Sequence, residues 1–317
     1  MLKLVKIVRP PTIKVFGVGG AGNNGMERMI SNTTRGVELI AVNSDIQALA
    51  RSSAPFKLLL GKTGLGGLIY PDKGEAAASE NSHAIRAFLK GADMAILIGG
   101  MGGGTGSGAL PVLAKIAREM KIVTIGVVYL PFEFEGTKRN SVAKESLKRL
   151  SQQVNALIVL PQDQLMNTMG DETVIDQYFI EADAVLSHLV RCITDISHSP
   201  GLVNPDFEDV RTVFRATGRA TIGMGTAEGT NRAAVAAENA IANQKTFNNQ
   251  TIDNKALLVS ISASKSTLAM SEVNQAMNAV RLAADDNAQI VFGAAYDESL
   301  LESLRVTIIA ISAASSR

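Results

Sequence analysis

GGMGGGTGSG, residues 99–108, places seven glycines in ten positions. It follows the apolar run MAILI and precedes ALPVLAKIAREM, whose spacing predicts a helix. Glycine inside a helix or strand costs about 0.5–1 kcal/mol per residue relative to alanine. So dense a cluster therefore reads as a strand-to-helix turn. There, bare backbone N–H groups close on an anion and the following helix N-terminus adds positive potential. Thr105 and Ser107 add hydroxyl donors. A second turn of this kind, GVGGAGNNGMERMI (17–30), follows TIKVFGV. Either turn alone is also explained by a tight connection that needs glycine only for geometry. Two of them at adjacent strand ends can enclose a polyphosphate from two sides.

Working outward, TIKVFGV, VELIAVN, KLLL, DMAILI, IVTIGVVYL and ALIVL are short apolar, β-branched runs, with helical patterns between most of them. This alternation predicts an α/β fold, a Rossmann-like parallel sheet covered by helices on both faces. The segment 58–78 reads as irregular. VIDQYFIEADAVLSHLVRCITDIS (174–197) predicts one long central helix, with Ile175, Phe179, Ala182, Leu186, Leu189 and Ile193 spaced as a buried stripe. SPGLVNP breaks it. Further strands (TIGMG, ALLVSISAS, QIVFGAA, RVTIIAIS) and helices (FEDVRTVFRAT, NRAAVAAENAIAN, SEVNQAMNAVRLAA) form a smaller α/β unit. The expected division is a nucleotide-binding unit at 1–173, a connecting helix at 174–200 and a C-terminal unit at 201–317.

Composition narrows the function. Lys+Arg 31 against Asp+Glu 30 leaves a net charge of +1, so no global charge points to nucleic acid or an anionic membrane. Cys192 is the only cysteine, which rules out an internal disulfide and fits a reducing cytoplasm. His83, His188 and His198 show no metal-ligand spacing with Cys192. MLKLVKIVRPPTIKV lacks the continuous apolar core of a secretory signal. No stretch approaches the ~20 apolar residues of a membrane helix.

Two phosphate-binding alternatives compete. GVGGAG (17–22), with Asp45 following at the end of VELIAVNSD, nearly fits the dinucleotide fingerprint of an NAD-dependent oxidoreductase. That fingerprint leaves the second and richer loop unexplained. GKT at 61–63 is not a Walker A loop, because the required upstream glycine is missing.

GGGTGSG at 102–108 is the tubulin/FtsZ signature, and the chain resembles the FtsZ branch of that GTPase family. IKVFGVGGAGNN (13–24), VELIAVNSDIQAL (37–49), ADMAILIGGMGGGTGSG (92–108), PFEFEGTKR (131–139), GLVNPDFEDVRTVF (201–214) and LRVTIIA (304–310) occur in the family's order from about residue 12 to 311. The resemblance implies the tubulin/FtsZ fold, binding of GTP and GDP, Mg²⁺ carried with the nucleotide, and self-assembly into head-to-tail protofilaments in cell division. Carried over position by position, Gly20, Ala21, Gly22, Asn23 and Asn24 line the first loop, with Asn24 near the base. Asn43 lies on the nucleotide side, and Gly103, Gly104, Thr105, Gly106 and Ser107 wrap the phosphates. Glu135 and Arg139 hold the ribose side. Phe179 packs on guanine, and Asp183 accepts from its N1 and N2 hydrogens, a donor pair adenine lacks. Unaided, Phe179 reads as core, Asp183 as a solvated face residue and Glu135–Arg139 as a surface i,i+4 ion pair.

In NPDFEDV (204–210), Asn204, Asp206 and Asp209 are the catalytic candidates. The plain alternative is a helix start with Asn204 as cap, Pro205 in first position and acids in the first turn. In the FtsZ branch the loop of one subunit completes the active site of the next. Such a heterologous contact propagates into a filament. GLGGLIYPDKG departs from the family's loop over the γ-phosphate, with Leu68, Ile69 and Tyr70 at small or polar positions. An accessory protein that binds guanine nucleotide and co-assembles but hydrolyses weakly is the alternative this raises. Among these 317 residues, the family's C-terminal anchor-binding peptide is not expected. The expected partners are guanine nucleotide and further copies of the chain, without membrane insertion.

Overall fold

The computed structural model describes residues 11–30, 36–66, 70–163, 166, 175–198, 201–215, 218–246 and 254–313. Six strands form the first half: β1 (Ile13–Val18), β2 (Val37–Asn43), β3 (Phe56–Leu59), β4 (Met94–Gly100), β5 (Val123–Tyr129) and β6 (Ala156–Leu160). They pair in parallel in the order β3-β2-β1-β4-β5-β6. Helices α1 (Gly19–Ile30), α2 (Ile46–Arg51), α3 (Pro71–Glu80), α4 (Ser82–Leu89), α5 (Gly104–Glu119) and α6 (Thr137–Ser151) connect them. The strand order reverses between β1 and β4, so their following helices leave toward opposite sides. A crevice at the carboxyl ends of two such strands is where open α/β sheets bind ligands. Val18 is in register with Gly99, which brings both glycine turns to one level of the sheet.

The sheet does not stop at β6. β7 (Gly201–Val203), β8 (Gly218–Ala227), β9 (Asn254–Ala263), β10 (Gln289–Tyr296) and β11 (Leu304–Ala313) continue it in the order β6-β8-β11-β9-β10-β7. The junction is short: Ala156, Leu157 and Ile158 pair with Gly218, Arg219 and Ala220. Helices α7 (Ile175–His198), α8 (Phe207–Arg215), α9 (Arg232–Thr246) and α10 (Met270–Ala283) complete the described chain. α7 is the predicted central helix. Its Ala182, Leu186, Leu189 and Ile193 are buried in a core that runs from Ile13 on β1 to Ile311 on β11. Each such leucine contributes about 1.5–3 kcal/mol by burial. A second core lies under α3, α4, α5 and α6, and a third between α9, α10 and the last strands.

Two local elements differ from the sequence expectation. Part of the segment read as irregular is helical: α3 starts at Pro71, a residue suited to the first helical position. α3 lies so close to α5 that a Cβ on Gly108 would overlap the Pro71 carbonyl oxygen, which makes Gly108 a packing glycine. β7, within the predicted breaker SPGLVNP, exists through antiparallel pairing of Gly201 and Val203 with β10. That pairing comes from almost a hundred residues away and leaves no local pattern.

Candidate functional site

At the β1–β4 switch point a cleft of about 270 Å³ opens. Gly19, Gly20 and Ala21 on one side and Gly103, Gly104, Thr105 and Gly106 on the other form its floor. β1 runs directly into α1, and Gly103 is the N-cap of α5. Two helix N-termini therefore aim their free N–H groups and dipoles into one space, an arrangement suited to a polyanion. The second loop is tied to the turn after β2 by Thr105 Oγ1 and Ser44 Oγ, 3.2 Å apart. Gly106 cannot be replaced without displacing main chain, because its Cβ would overlap the Gly100 carbonyl oxygen.

Glu135 and Arg139 line the opposite wall as an ion pair. Glu135 Oε1 also accepts the Phe132 N–H at 3.0 Å, which ties the carboxylate to its own turn. Ser107 is fully buried, and its Oγ accepts the Gly102 N–H at 2.8 Å. It shapes the turn from behind. Asn43 is likewise buried; its Oδ1 accepts from Ser44 N at 2.8 Å and Asp45 N at 3.3 Å.

On α1, Gly22 and Asn23 face inward while Asn24 is exposed. Asn23 is 6% exposed, and neither its Oδ1 nor its Nδ2 has a hydrogen-bond partner among the described residues. A buried primary amide with both ends unsatisfied costs several kcal/mol unless something else pairs with it. Asp183 on α7 is also buried. It accepts from the Tyr129 hydroxyl and, at 2.6 Å, from Arg28 Nη1. Burial pushes its carboxyl above the ordinary aspartate range, against the opposing pull of Tyr129 and Arg28. The Phe179 side chain, Leu68 and Ile69 lie outside the described residues. Tyr70 is half exposed, with Lys138 Nζ 5.7 Å from its ring centre.

The acidic loop lies elsewhere. Asn204, Asp206 and Asp209 are exposed, and the cleft lining contains none of them. Asp206, not Asn204, caps α8: its Oδ1 accepts the Asp209 N–H at 2.9 Å. The plain helix-start alternative therefore placed the helix start two residues early. Asp45, the acid that the dinucleotide alternative needs on a ribose, is the N-cap of α2 and accepts from Gln47 N at 2.8 Å and Ala48 N at 3.2 Å. That occupation removes the main support for an NAD enzyme.

Sequence reasoning missed Tyr129, Gln162 and Arg28. Tyr129 ends β5 at the ligand-binding edge of the sheet, so its position alone was a usable signal. Arg28 gave none, because its partner is 155 residues away. Among the described residues no group of three or more His, Cys, Asp or Glu is placed to hold a metal, and no helix is long and apolar enough to cross a membrane.

Comparison with known proteins agrees with this geometry. The family model for the GTPase domain of the tubulin/FtsZ family matches residues 12–170, and that for the FtsZ family C-terminal domain matches residues 218–313. The chain is 42% identical over 319 residues to the cell division protein FtsZ of Mycoplasmopsis pulmonis, covering all of this chain and 81% of that protein. It is 42% identical over 300 residues to the cell division protein FtsZ of Coxiella burnetii, covering 94% of this chain and 78% of that one. The empty FtsZ dimer of M. jannaschii superposes with a TM-score of 0.88 at 34% identity, over 96% of this chain and 89% of the other. The chain thus belongs to the tubulin/FtsZ family as an FtsZ-type GTPase.

Proposed function

We propose that this GTPase hydrolyses GTP at a site shared between two copies of the chain, stacked head to tail. The observation that carries this is the separation of the two halves of the chemistry. The cleft supplies phosphate-binding N–H groups, but its one lining carboxylate, Glu135, is paired with Arg139. The acids Asp206 and Asp209 sit beyond the other end of α7. About 22 Å of helix separates Asp183 from His198 at 1.5 Å per residue. A second copy can bring the missing acids to the cleft, and a contact of that kind repeats without closing.

In this reading residues 1–173 bind nucleotide, α7 within 174–200 connects, and 201–317 carry the activating loop. The N–H groups of Gly20, Ala21 and Gly103 to Gly106 hold the phosphates. Glu135 and Arg139 take the ribose. Asp183 accepts the guanine N1 and N2 hydrogens, and the unsatisfied amide of Asn23, in preference to the exposed Asn24, meets the base. Gly22, Asn43 and Ser107 act behind the contact surface by setting the loops. Asn204, Asp206 and Asp209 of the next copy orient one water, and a carboxylate oxygen accepts its proton as the water oxygen attacks the γ-phosphorus and the bond to GDP breaks. The donors here are amides and hydroxyls, so a metal ion fits only through the nucleotide's own phosphates. Mg²⁺ bound there would spread the developing charge. The cellular setting proposed is the division ring.

The test is GTP turnover against protein concentration with light scattering in parallel, on this chain and on Asp209→Ala. A shared concentration threshold, with turnover lost and GTP binding kept in the variant, supports the shared site. Turnover proportional to concentration from zero, without scattering, overturns it. Assembly with weak turnover in the parent chain identifies the accessory-protein alternative.

A further inference from the structure

We infer that Arg28 and Tyr129 are positioning residues for base selection: they hold the two oxygens of the Asp183 carboxylate from opposite sides, so that it meets guanine as a fixed, ionised acceptor. This rests on the proposed role of Asp183 and extends it to the two residues that hold its carboxylate, of which Tyr129 also lines the cleft. Three elements converge on the carboxylate. Tyr129, from β5, donates its hydroxyl to Oδ1. Arg28, from α1, donates Nη1 to Oδ2 at 2.6 Å. The carboxylate itself comes from α7, with its side chain 7% exposed against 40% for Arg28. The guanidinium thus approaches from the solvent side and the phenol from the sheet.

Gly25 shows how closely the three are fitted. A Cβ there would lie 2.7 Å from the Tyr129 hydroxyl oxygen, 2.9 Å from Leu186 Cδ1 and 3.3 Å from Asp183 Oδ1. The helix face carrying Arg28 can press on the pair only because position 25 has no side chain.

The chemistry follows from lone pairs. An ionised carboxylate has about four acceptor positions. Tyr129 and Arg28 take one on each oxygen, which leaves one on each for two parallel N–H donors. Protonation would convert one oxygen into a donor and destroy that match. Burial favours the proton, and the groups opposing it are the two clamps. Removing Arg28 removes the adjacent positive charge, while removing Tyr129 takes away a neutral donor. The first affects charge and direction, the second mainly direction.

The experiment measures equilibrium binding of GDP and of IDP, which lacks the 2-amino group, from pH 5 to 8, on the full chain. The variants are Arg28→Gln, Arg28→Lys, Tyr129→Phe and Asp183→Asn. In the parent, GDP binds about tenfold or more tighter than IDP, the value of one hydrogen bond to a charged acceptor. In Arg28→Gln that preference falls at least about fivefold and the acid limb of GDP binding moves up by about one pH unit, as loss of a neighbouring cation requires. IDP binding at pH 8 changes less than about twofold. Arg28→Lys restores the acid limb, and Tyr129→Phe reduces the preference without moving the limb as far. Asp183→Asn tests the underlying assignment, because it should lose GDP and gain XDP, whose C2 oxygen pairs with an amide. If Asp183→Asn switches the base while Arg28→Gln keeps the parent's preference and pH profile, the clamp is wrong and the site assignment stands. If Asp183→Asn leaves GDP binding unchanged, the site assignment fails and the clamp with it.

Discussion

His188 makes the molecule acid-sensitive well above the range where carboxylates titrate. It lies on α7 beside Arg191 of the same helix and faces Arg305 of β11. Both arginines reach Asp297, Arg305 at 2.7 Å and Arg191 at 3.4 Å. Burial first, and then the two guanidiniums, push the imidazole from its ordinary 6.5 down to about 4. The folded protein therefore holds His188 neutral where the unfolded chain would protonate it. Between those two values the unfolded state binds the extra proton, so stability falls as pH falls. Integrating the linkage from pH 7 to 5 gives a loss of about 2 kcal/mol. With a urea m-value of about 3 kcal/mol/M, the unfolding midpoint drops by about 0.6 M. The assay is urea unfolding by circular dichroism at pH 7 and pH 5 for the parent and for His188→Gln. Only the difference in pH dependence is compared, so any change in the variant's absolute stability cancels. The carboxylates held below their usual range, Glu27, Glu272, Asp297 and Glu298, titrate under this window and are common to both proteins. Parallel pH dependences, within about 0.5 kcal/mol, would refute the reasoning.

Other perturbations separate binding from stability. Gly106→Ala forces the Gly100 carbonyl away and abolishes nucleotide binding, with about 2–4 kcal/mol of destabilisation; binding within threefold of the parent by titration calorimetry would contradict this. Asp206→Ala lowers stability by about 1 kcal/mol through loss of the α8 cap. Asp209→Ala, whose N–H and not its side chain joins that cap, leaves the melting temperature in place while turnover falls. Arg139→Ala changes stability by less than about 0.5 kcal/mol, because the Arg139 side of the i,i+4 pair is half exposed to water. The same change weakens nucleotide binding about tenfold, and equal affinity would remove Arg139 from the site. Asp45→Ala costs about 1 kcal/mol as a lost cap and gives no change in nucleotide preference.

The strands and the two glycine turns were legible because each is written in contiguous residues. A strand is an apolar run, and a turn between strand and helix is a change of period marked by glycine. Their meeting at one end of the sheet was legible too, since parallel connections leave little freedom. What the sequence hid was long-range. It could not show that the sheet continues from β6 into β8, because three residue pairs make that join. Nor could it separate Asn23 from Asn24, which differ only in which face of α1 they occupy. The Arg28–Asp183–Tyr129 cluster joins three elements far apart in the chain, and each residue has an ordinary solvated or core reading alone. Within GGMGGGTGSG, identical letters conceal different tasks. Gly103 and Gly104 border the cleft, whereas Gly108 lets α3 lie against α5.

The anion-facing floor of the cleft is mostly main chain, and this determines what genetics can find there. A peptide N–H survives every substitution except proline. Truncating a side chain beside it deletes nothing that grips a phosphate. An alanine scan there would register only where alanine adds bulk to a glycine, as at Gly106, and would never report the N–H groups themselves. Loss-of-function alleles in these loops should be gains of bulk, with alanine, serine or aspartate where glycine stood. The same logic lets side chains drift where space permits, and Ala21, exposed at the mouth of the first turn, occupies such a position.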